Sequence, residues 1–266
     1  MTTSRAQAWR GRSLLLLTSL LGAAALCWPF FVSSSGAAHS SDAPWALVLL
    51  VPLLLGLCAV EFSRGRLDVR GIAVLGILAA CGTALRIPSP GVAGLEPMFF
   101  LLVLGGAVYG CSFGFALGGL TLLVSALATG AVGPWLPFQM LAAGWVGAGA
   151  GLLPQFPPRR ERFGLAAYGA TACLGYGVVM NLWFWPAAAG TTTSVSYVPG
   201  GALSENLIHF FVFDLTTSLG FDLPRAVLNA ALILVVGKPV LVALRRTARR
   251  TVALAPFELI ATPGQA

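Results

Sequence analysis

The chain has 266 residues, of which 57% are hydrophobic and only 9% charged, and its mean hydropathy is +0.86. Soluble domains carry about 25% charged residues, so a soluble globular enzyme and a disordered chain are excluded. The net charge of +7 would suit nucleic acid, but the cations cluster between long apolar runs, which speaks for a membrane and against that partner.

A helix needs about 20 apolar residues to cross the hydrocarbon core of a bilayer. The first run, Ser13 to Val32, follows Arg5, Arg10 and Arg12, as a secretory signal would. It is long for a signal, Leu26 before Cys27 spoils a lipoprotein cleavage site, and a second run from Trp45 to Val60 follows almost at once. The first run is therefore expected to remain as an anchor. After the charged linker Glu61 to Arg70 (EFSRGRLDVR) come Gly71 to Leu85, Pro97 to Tyr109, Phe113 to Val132, Pro134 to Leu153, Phe163 to Trp185 and Pro224 to Leu244. The stretch Leu207 to Phe221 is broken by His209 and Asp214, and is expected as a helix lying at or dipping into the outer surface. The predicted fold class is an all-α polytopic membrane protein of about eight spans. A two-helix transmembrane hairpin (1–65) precedes a six-helix bundle (66–250), and residues 251–266 form a cytoplasmic tail.

The positive-inside rule supports this topology. With both termini in the cytoplasm, 14 of the 16 Lys and Arg residues fall inside, and only Arg86 and Arg225 outside. Of the nine acids, Asp42, Glu96, Glu205, Asp214 and Asp222 lie outside. The five cysteines, Cys27, Cys58, Cys81, Cys111 and Cys173, sit in apolar runs without a CxxC pair, and are expected as small buried hydrophobes.

Small residues recur at helical spacing: Gly76, Ala80 and Ala84, then Gly110, Gly114 and Gly118, then Gly147 and Gly151. In lipid such stripes mark close helix contacts. Packing within the chain explains them, or partner docking, for which Gly76, Ala80 and Ala84 are the best candidates.

Polar groups concentrate at the outer ends of the core helices, where an intramembrane charge is costly and tends to be functional. Arg86 and Glu96 flank a Pro/Gly-rich loop; Arg86 either snorkels while Glu96 caps the next helix, or both belong to a loop closing over a ligand. Gln139 stands near Trp135, Phe138 and Trp145, which suits a flat heterocycle or, more simply, an interfacial aromatic belt. Asn181 lies one turn below Trp185, His209 follows Glu205 at i+4, and Asp214 precedes Ser218 at i+4. Asp222, before Leu223-Pro224, reads as a helix N-cap, and Arg225 and Asn229 share a face. There is no HExxH motif and no Gly-rich phosphate loop; with only His39 and His209, a three-His metal site is impossible. No metal or cofactor is expected.

Two runs carry a family resemblance. The first is Gly105-Gly106-Ala-Val-Tyr-Gly110-Cys-Ser-Phe-Gly114-Phe-Ala-Leu-Gly118-Gly119. The second, Gly133-Pro134-Trp135-x-Pro137-Phe138-Gln139-Met140 with Gly144-Trp145-Val-Gly147, is the more specific. Over residues 71 to 250 the chain resembles the substrate-specific (S) component of energy-coupling factor (ECF) transporters, of the actinobacterial type. The resemblance implies a six-helix subunit of an ABC-type importer that captures a vitamin or related micronutrient outside the cell. It also implies a membrane T protein and two ATPase subunits as partners, with Gly76, Ala80 and Ala84 matching the small-residue motif that contacts the T protein. Trp135, Phe138, Trp145 and Trp185 would then stack on the ligand, and Gln139, Asn181, His209 and Asp214 would hydrogen-bond it. Arg86 and Glu96 would lie in the closing loop. A corrinoid is the first substrate suggested, because members of the broader family handle one. Ser125 stands where many relatives carry aspartate, which leaves specificity open, and the hairpin lies outside the six-helix plan. The alternatives are an intramembrane enzyme acting on a lipid or prenyl substrate through His209 and Asp214, and a non-catalytic membrane scaffold.

Overall fold

The computed structural model describes residues 2–27, 30, 69–88, 92–188 and 195–253. Among them lie eight α-helices: α1 (Thr2–Cys27), α2 (Val69–Arg86), α3 (Phe99–Tyr109), α4 (Cys111–Thr129), α5 (Leu136–Ala150), α6 (Glu161–Ala188), α7 (Leu203–Thr217) and α8 (Leu219–Ala253). A 3-10 turn, Val92–Gly94, separates α2 from α3. The second hydrophobic run, most of the charged linker and the tail beyond Ala253 lie outside the described residues.

Three helices are long and apolar enough to cross a membrane by length and composition: Cys111–Thr129, Glu161–Pro186 and Leu219–Arg249. Of the other described runs, α3 and α5 are too short to cross, at 11 and 15 residues. Gly110, at φ 94°, adopts a backbone conformation that L side chains avoid, and it ends α3 after 11 residues. At 1.5 Å per residue α3 reaches about 16 Å, half the thickness of a hydrocarbon core. It is instead enclosed by its neighbours, with Phe99 to Gly106 all buried. Eight crossings are therefore not established by helix length.

The centre of the bundle is the α4–α5 pair, held at backbone contact by glycine. A Cβ on Gly114 or on Gly147 would overlap the other's carbonyl, and one on Gly118 would overlap the Ala143 carbonyl. Gly106 makes the same close approach to Gly147 from α3. These glycines pack internally, as lipid-embedded helices do through small residues. Gly151 makes the same close approach to the Gly110–Cys111 peptide, although a Cβ on Gly110 itself would meet open space. On α2, by contrast, Gly76, Ala80 and Ala84 are exposed, and a Cβ at Gly76 would meet no atom within 4 Å. The opposite face of α2, with Leu75, Leu78, Ala79 and Gly82, is the one that turns inward.

The G-x-S-x-G spacing of Gly110 to Gly114 joins two helices, not a strand to a helix, so it is no nucleophile elbow. The cysteines depart from expectation. None of the four described ones forms a disulfide, only Cys173 is buried, and Cys81 is exposed. A helix face turned to lipid tolerates a thiol without burial, so apolar surroundings in sequence did not imply a core position.

Helices α6 and α8 run side by side. Arg245 pairs with Glu161, bringing the start of α6 to the end of α8, and Arg162 Nη1 donates to the Leu234 carbonyl at 2.8 Å. Helix α1 lies on α5, with Trp145 Nε1 donating to Ser19 Oγ at 2.9 Å and Gly22 seated against Leu141. The stretch around His209 forms α7, which buries Asn206, Phe210 and Phe213 and leaves Ile208, Phe211 and Leu215 exposed.

Candidate functional site

Four charged side chains from distant parts of the sequence meet at the end of the bundle opposite the Glu161–Arg245 pair. Arg86 closes α2, Glu96 precedes α3, and Asp222 and Arg225 lie in the first turns of α8. Glu96 is delivered by a tight reversal in which Ala93 (φ 51°) and Gly94 (φ 74°) are left-handed. A Cβ on Gly94 would also overlap the Phe221 carbonyl, so two independent constraints fix glycine there.

Glu96 bridges two cations. Its Oε2 accepts from Arg225 Nε at 2.9 Å, and its Oε1 lies 3.4 Å from Arg86 Nε. Arg225 Nη1 donates onward to Asp222 Oδ1 at 2.5 Å, and Arg86 Nη1 donates to Ser125 Oγ at 2.9 Å. All four charged side chains are less than 10% exposed. Burying a charge is costly unless it is paired and hydrogen-bonded, and here two cations meet two anions. Asn229, fully buried, ties the cluster to the fold: its Oδ1 accepts from the Phe100 backbone N–H at 2.8 Å and its Nδ2 donates to the Glu96 carbonyl at 2.9 Å. It thereby satisfies an N–H in the first turn of α3 that has no partner within that helix.

Asp222 is not the helix cap that its place before Leu223-Pro224 suggested. Helix α8 begins at Leu219, leaving Asp222 inside the first turn and free to pair with Arg225 at i+3. Gly177 makes room for it, because a Cβ there would overlap the Asp222 carboxylate.

Beside this network lies a cavity of about 220 Å³, bounded by Arg86, Glu96, Gln139, Tyr176, Asn181, Asp222 and Arg225, with Gly177, Met180, Ser218 and Phe221 completing the wall. The Tyr176 ring packs edge-on to Phe99 at 4.7 Å and carries the Arg225 guanidinium 5.2 Å from its centroid. Its hydroxyl is buried without a hydrogen-bond partner. Asn181 Nδ2 donates to Asp214 Oδ1 at 2.6 Å and to Ser218 Oγ, joining α6 to the α7–α8 junction.

Of the residues expected at the site, the structure brings Arg86, Glu96, Gln139 and Asn181 to one cavity and sets Asp214 behind Asn181. Arg86 and Glu96, expected in a loop closing over the ligand, are buried anchors of an ion network. The others lie elsewhere. Trp135, 38% exposed, and Phe138 pack on Trp183, at 6.5 and 6.0 Å between ring centroids. Trp145 turns to α1. Trp185 is fully buried between Tyr197 and Phe210, each at 5.4 Å, and its Nε1 donates to the Val195 carbonyl. Burial also pushes the Tyr197 phenol above its ordinary range. His209 Nδ1 sits 2.9 Å from the Ser196 carbonyl, and Asp214 is held by Asn181, so the two hold separate partners and form no acid–base pair.

Tyr176, Asp222 and Arg225 were missed as site residues. For Arg225 a signal existed: it and Arg86 are the two cations that the charge pattern leaves outside. For Tyr176, one aromatic in an apolar helix, there was none.

The site offers no activated nucleophile among the groups described above. It offers a small, polar, charge-balanced recess, which is the equipment of a binding protein. No curated protein and no solved structure matches the chain. Residues 70–237 do match a family described as the substrate-specific component of ECF transporters. That span is more than half of the chain and includes every wall of the cavity. The chain belongs to the ECF transporter substrate-specific component family, the substrate-binding membrane subunits that work with T and ATPase subunits.

Proposed function

We propose that this chain captures a vitamin-like micronutrient in the Arg86–Tyr176–Arg225 cavity at the outer face of the membrane. It hands the ligand inward in complex with a T protein and two ATPase subunits. The observation that carries this reading is the polarity of the bundle. The cavity lies at one end of α8, beside Asp222 and Arg225, and the basic cluster Arg245, Arg246 and Arg249 lies about 20 residues further on. At 1.5 Å per residue that separation is about 30 Å, the thickness of a hydrocarbon core. Basic clusters face the cytoplasm, so the cavity faces out and the C-terminus in. The remaining apolar runs complete an eight-span protein with a cytoplasmic N-terminus.

The exposed stripe Gly76, Ala80 and Ala84 is the surface for the T protein. Its residues are exposed and a Cβ at Gly76 would meet open space, whereas the seam glycines of α4 and α5 meet neighbouring backbone. The cavity supports a compact ligand over a corrinoid, since about 220 Å³ is below the range of about 300–1,000 Å³ usual for drug-sized molecules. Trp135, Phe138 and Trp183 form an aromatic rim near the recess, and the hairpin (1–65) is an accessory that covers α5 through α1.

Purification from the native host in mild detergent tests this reading. One T-type membrane protein and two ATPases should accompany the wild-type chain, and should be lost from Ala80→Leu with the chain still folded. Retention of the same partners by Ala80→Leu would remove the stripe from the interface. Isolation of the wild-type chain without any ATPase would contradict the assembly.

A further inference from the structure

The cavity also constrains the chemistry of its ligand, an argument that rests on the capture reading above. Its charges balance one another: Arg86 and Arg225 face Glu96, and Arg225 also holds Asp222, while Arg86 Nε is paired by charge and makes no hydrogen bond among the described residues. Asp214 stands behind the Asn181 amide and does not line the recess. A molecule with net charge would enter a poorly solvated space holding no spare counter-charge, where an unpaired ion is strongly disfavoured.

Two neutral groups remain available. Tyr176 lines the cavity and is only 4% exposed, and its hydroxyl is buried and has no hydrogen-bond partner among the described residues. Buried hydroxyls are nearly always bonded in folded proteins, and an orphan requires an explanation. The Gln139 side-chain amide also lines the cavity and makes no hydrogen bond with the described residues. A phenol donor and a primary amide are together complementary to a carbonyl, lactam or ring-nitrogen edge. Phe221 and Met180 supply apolar wall around it. We infer that the ligand is a compact molecule, uncharged overall, that presents a carbonyl or ring-nitrogen acceptor to the Tyr176 hydroxyl, and that Tyr176 is a specificity-determining residue of the site.

Tyr176→Phe isolates this claim, because the hydroxyl holds no partner among the described residues. Its removal should leave the unliganded melting temperature unchanged or slightly raised. The purified full chain and the variant would be dialysed against a small-molecule ultrafiltrate of yeast extract, and the retained compounds identified by mass spectrometry. The wild type should retain a compound that is uncharged at neutral pH, enriched about tenfold less on Tyr176→Phe, the effect of one lost hydrogen bond. Equal enrichment on both chains, or a retained compound with net charge, would overturn the inference and leave the capture reading standing. A folded wild-type chain that retains nothing would overturn the capture reading, and this inference with it. The charge of the retained compound is read from the wild type alone, so this part of the test holds whatever the variant does.

Discussion

Replacing Glu96 with glutamine keeps the shape of the ion network but removes the anion that two arginines share. Glu96 lies 2.9 Å from Arg225 and 3.4 Å from Arg86. At an effective dielectric constant of about 20 the two contacts amount to about 6 and 5 kcal/mol before desolvation. Arg225 keeps Asp222, but Arg86 keeps only the Ser125 hydroxyl, so the buried cluster changes from neutral to a net positive charge. Breaking a buried pair in this way costs about 3–5 kcal/mol after solvation is counted. Equilibrium unfolding in mixed micelles should show a loss of that size for Glu96→Gln. The double variant Glu96→Gln/Arg86→Gln restores neutrality, so it should be more stable than the sum of the single losses implies, with a coupling of about 0.5–3 kcal/mol. A loss below about 1 kcal/mol for Glu96→Gln, or strict additivity in the cycle, would refute the account of a tightly paired network.

Other substitutions separate binding from folding. Gln139→Ala should abolish retention of the yeast-extract compound with little change in stability. Asn181→Ala should abolish it too, while also costing about 1–3 kcal/mol through the loss of its bonds to Asp214 and Ser218. Gly147→Leu should prevent accumulation of folded protein, since even a Cβ overlaps the Gly114 carbonyl, whereas Gly76→Leu should fold normally; expression as a fluorescent fusion with size-exclusion analysis distinguishes them. Gly177→Ala should push Asp222 away from Arg225 and lower both stability and ligand retention; an unchanged melting temperature would mean that the helices yield at no cost.

Much of the architecture was legible because lipid imposes simple rules. Apolar runs gave the helices, and glycine at i, i+4 spacing gave the α4–α5 seam, since only small residues permit that approach. The run Pro97 to Tyr109 was legible to its last residue, but hydropathy does not say whether a run spans, and at 11 residues α3 is a buried half-length helix. At the site, polar residues within apolar surroundings were readable one at a time. Glu96 with Arg225 and Asn229, however, is a contact across more than 120 residues, created by the left-handed turn at Ala93-Gly94. The aromatic residues misled because their chemistry is the same on every face of a helix. Trp145 and Trp185 each bond to a group away from the cavity, and only the rotation of α5 and α6 decides that.

The central claim is that the cavity opens to the outside and is where the ligand is held. Ser218, in the cavity wall and partly exposed, reports on both points when changed to cysteine in a chain whose Cys27, Cys58, Cys81, Cys111 and Cys173 are replaced by alanine. Intact cells would be treated with a membrane-impermeant maleimide, with and without prior incubation in the yeast-extract ultrafiltrate. Labelling from outside that the ultrafiltrate slows is the result expected. Labelling only after the cells are made permeable, or labelling at the same rate with and without the ultrafiltrate, would contradict the account.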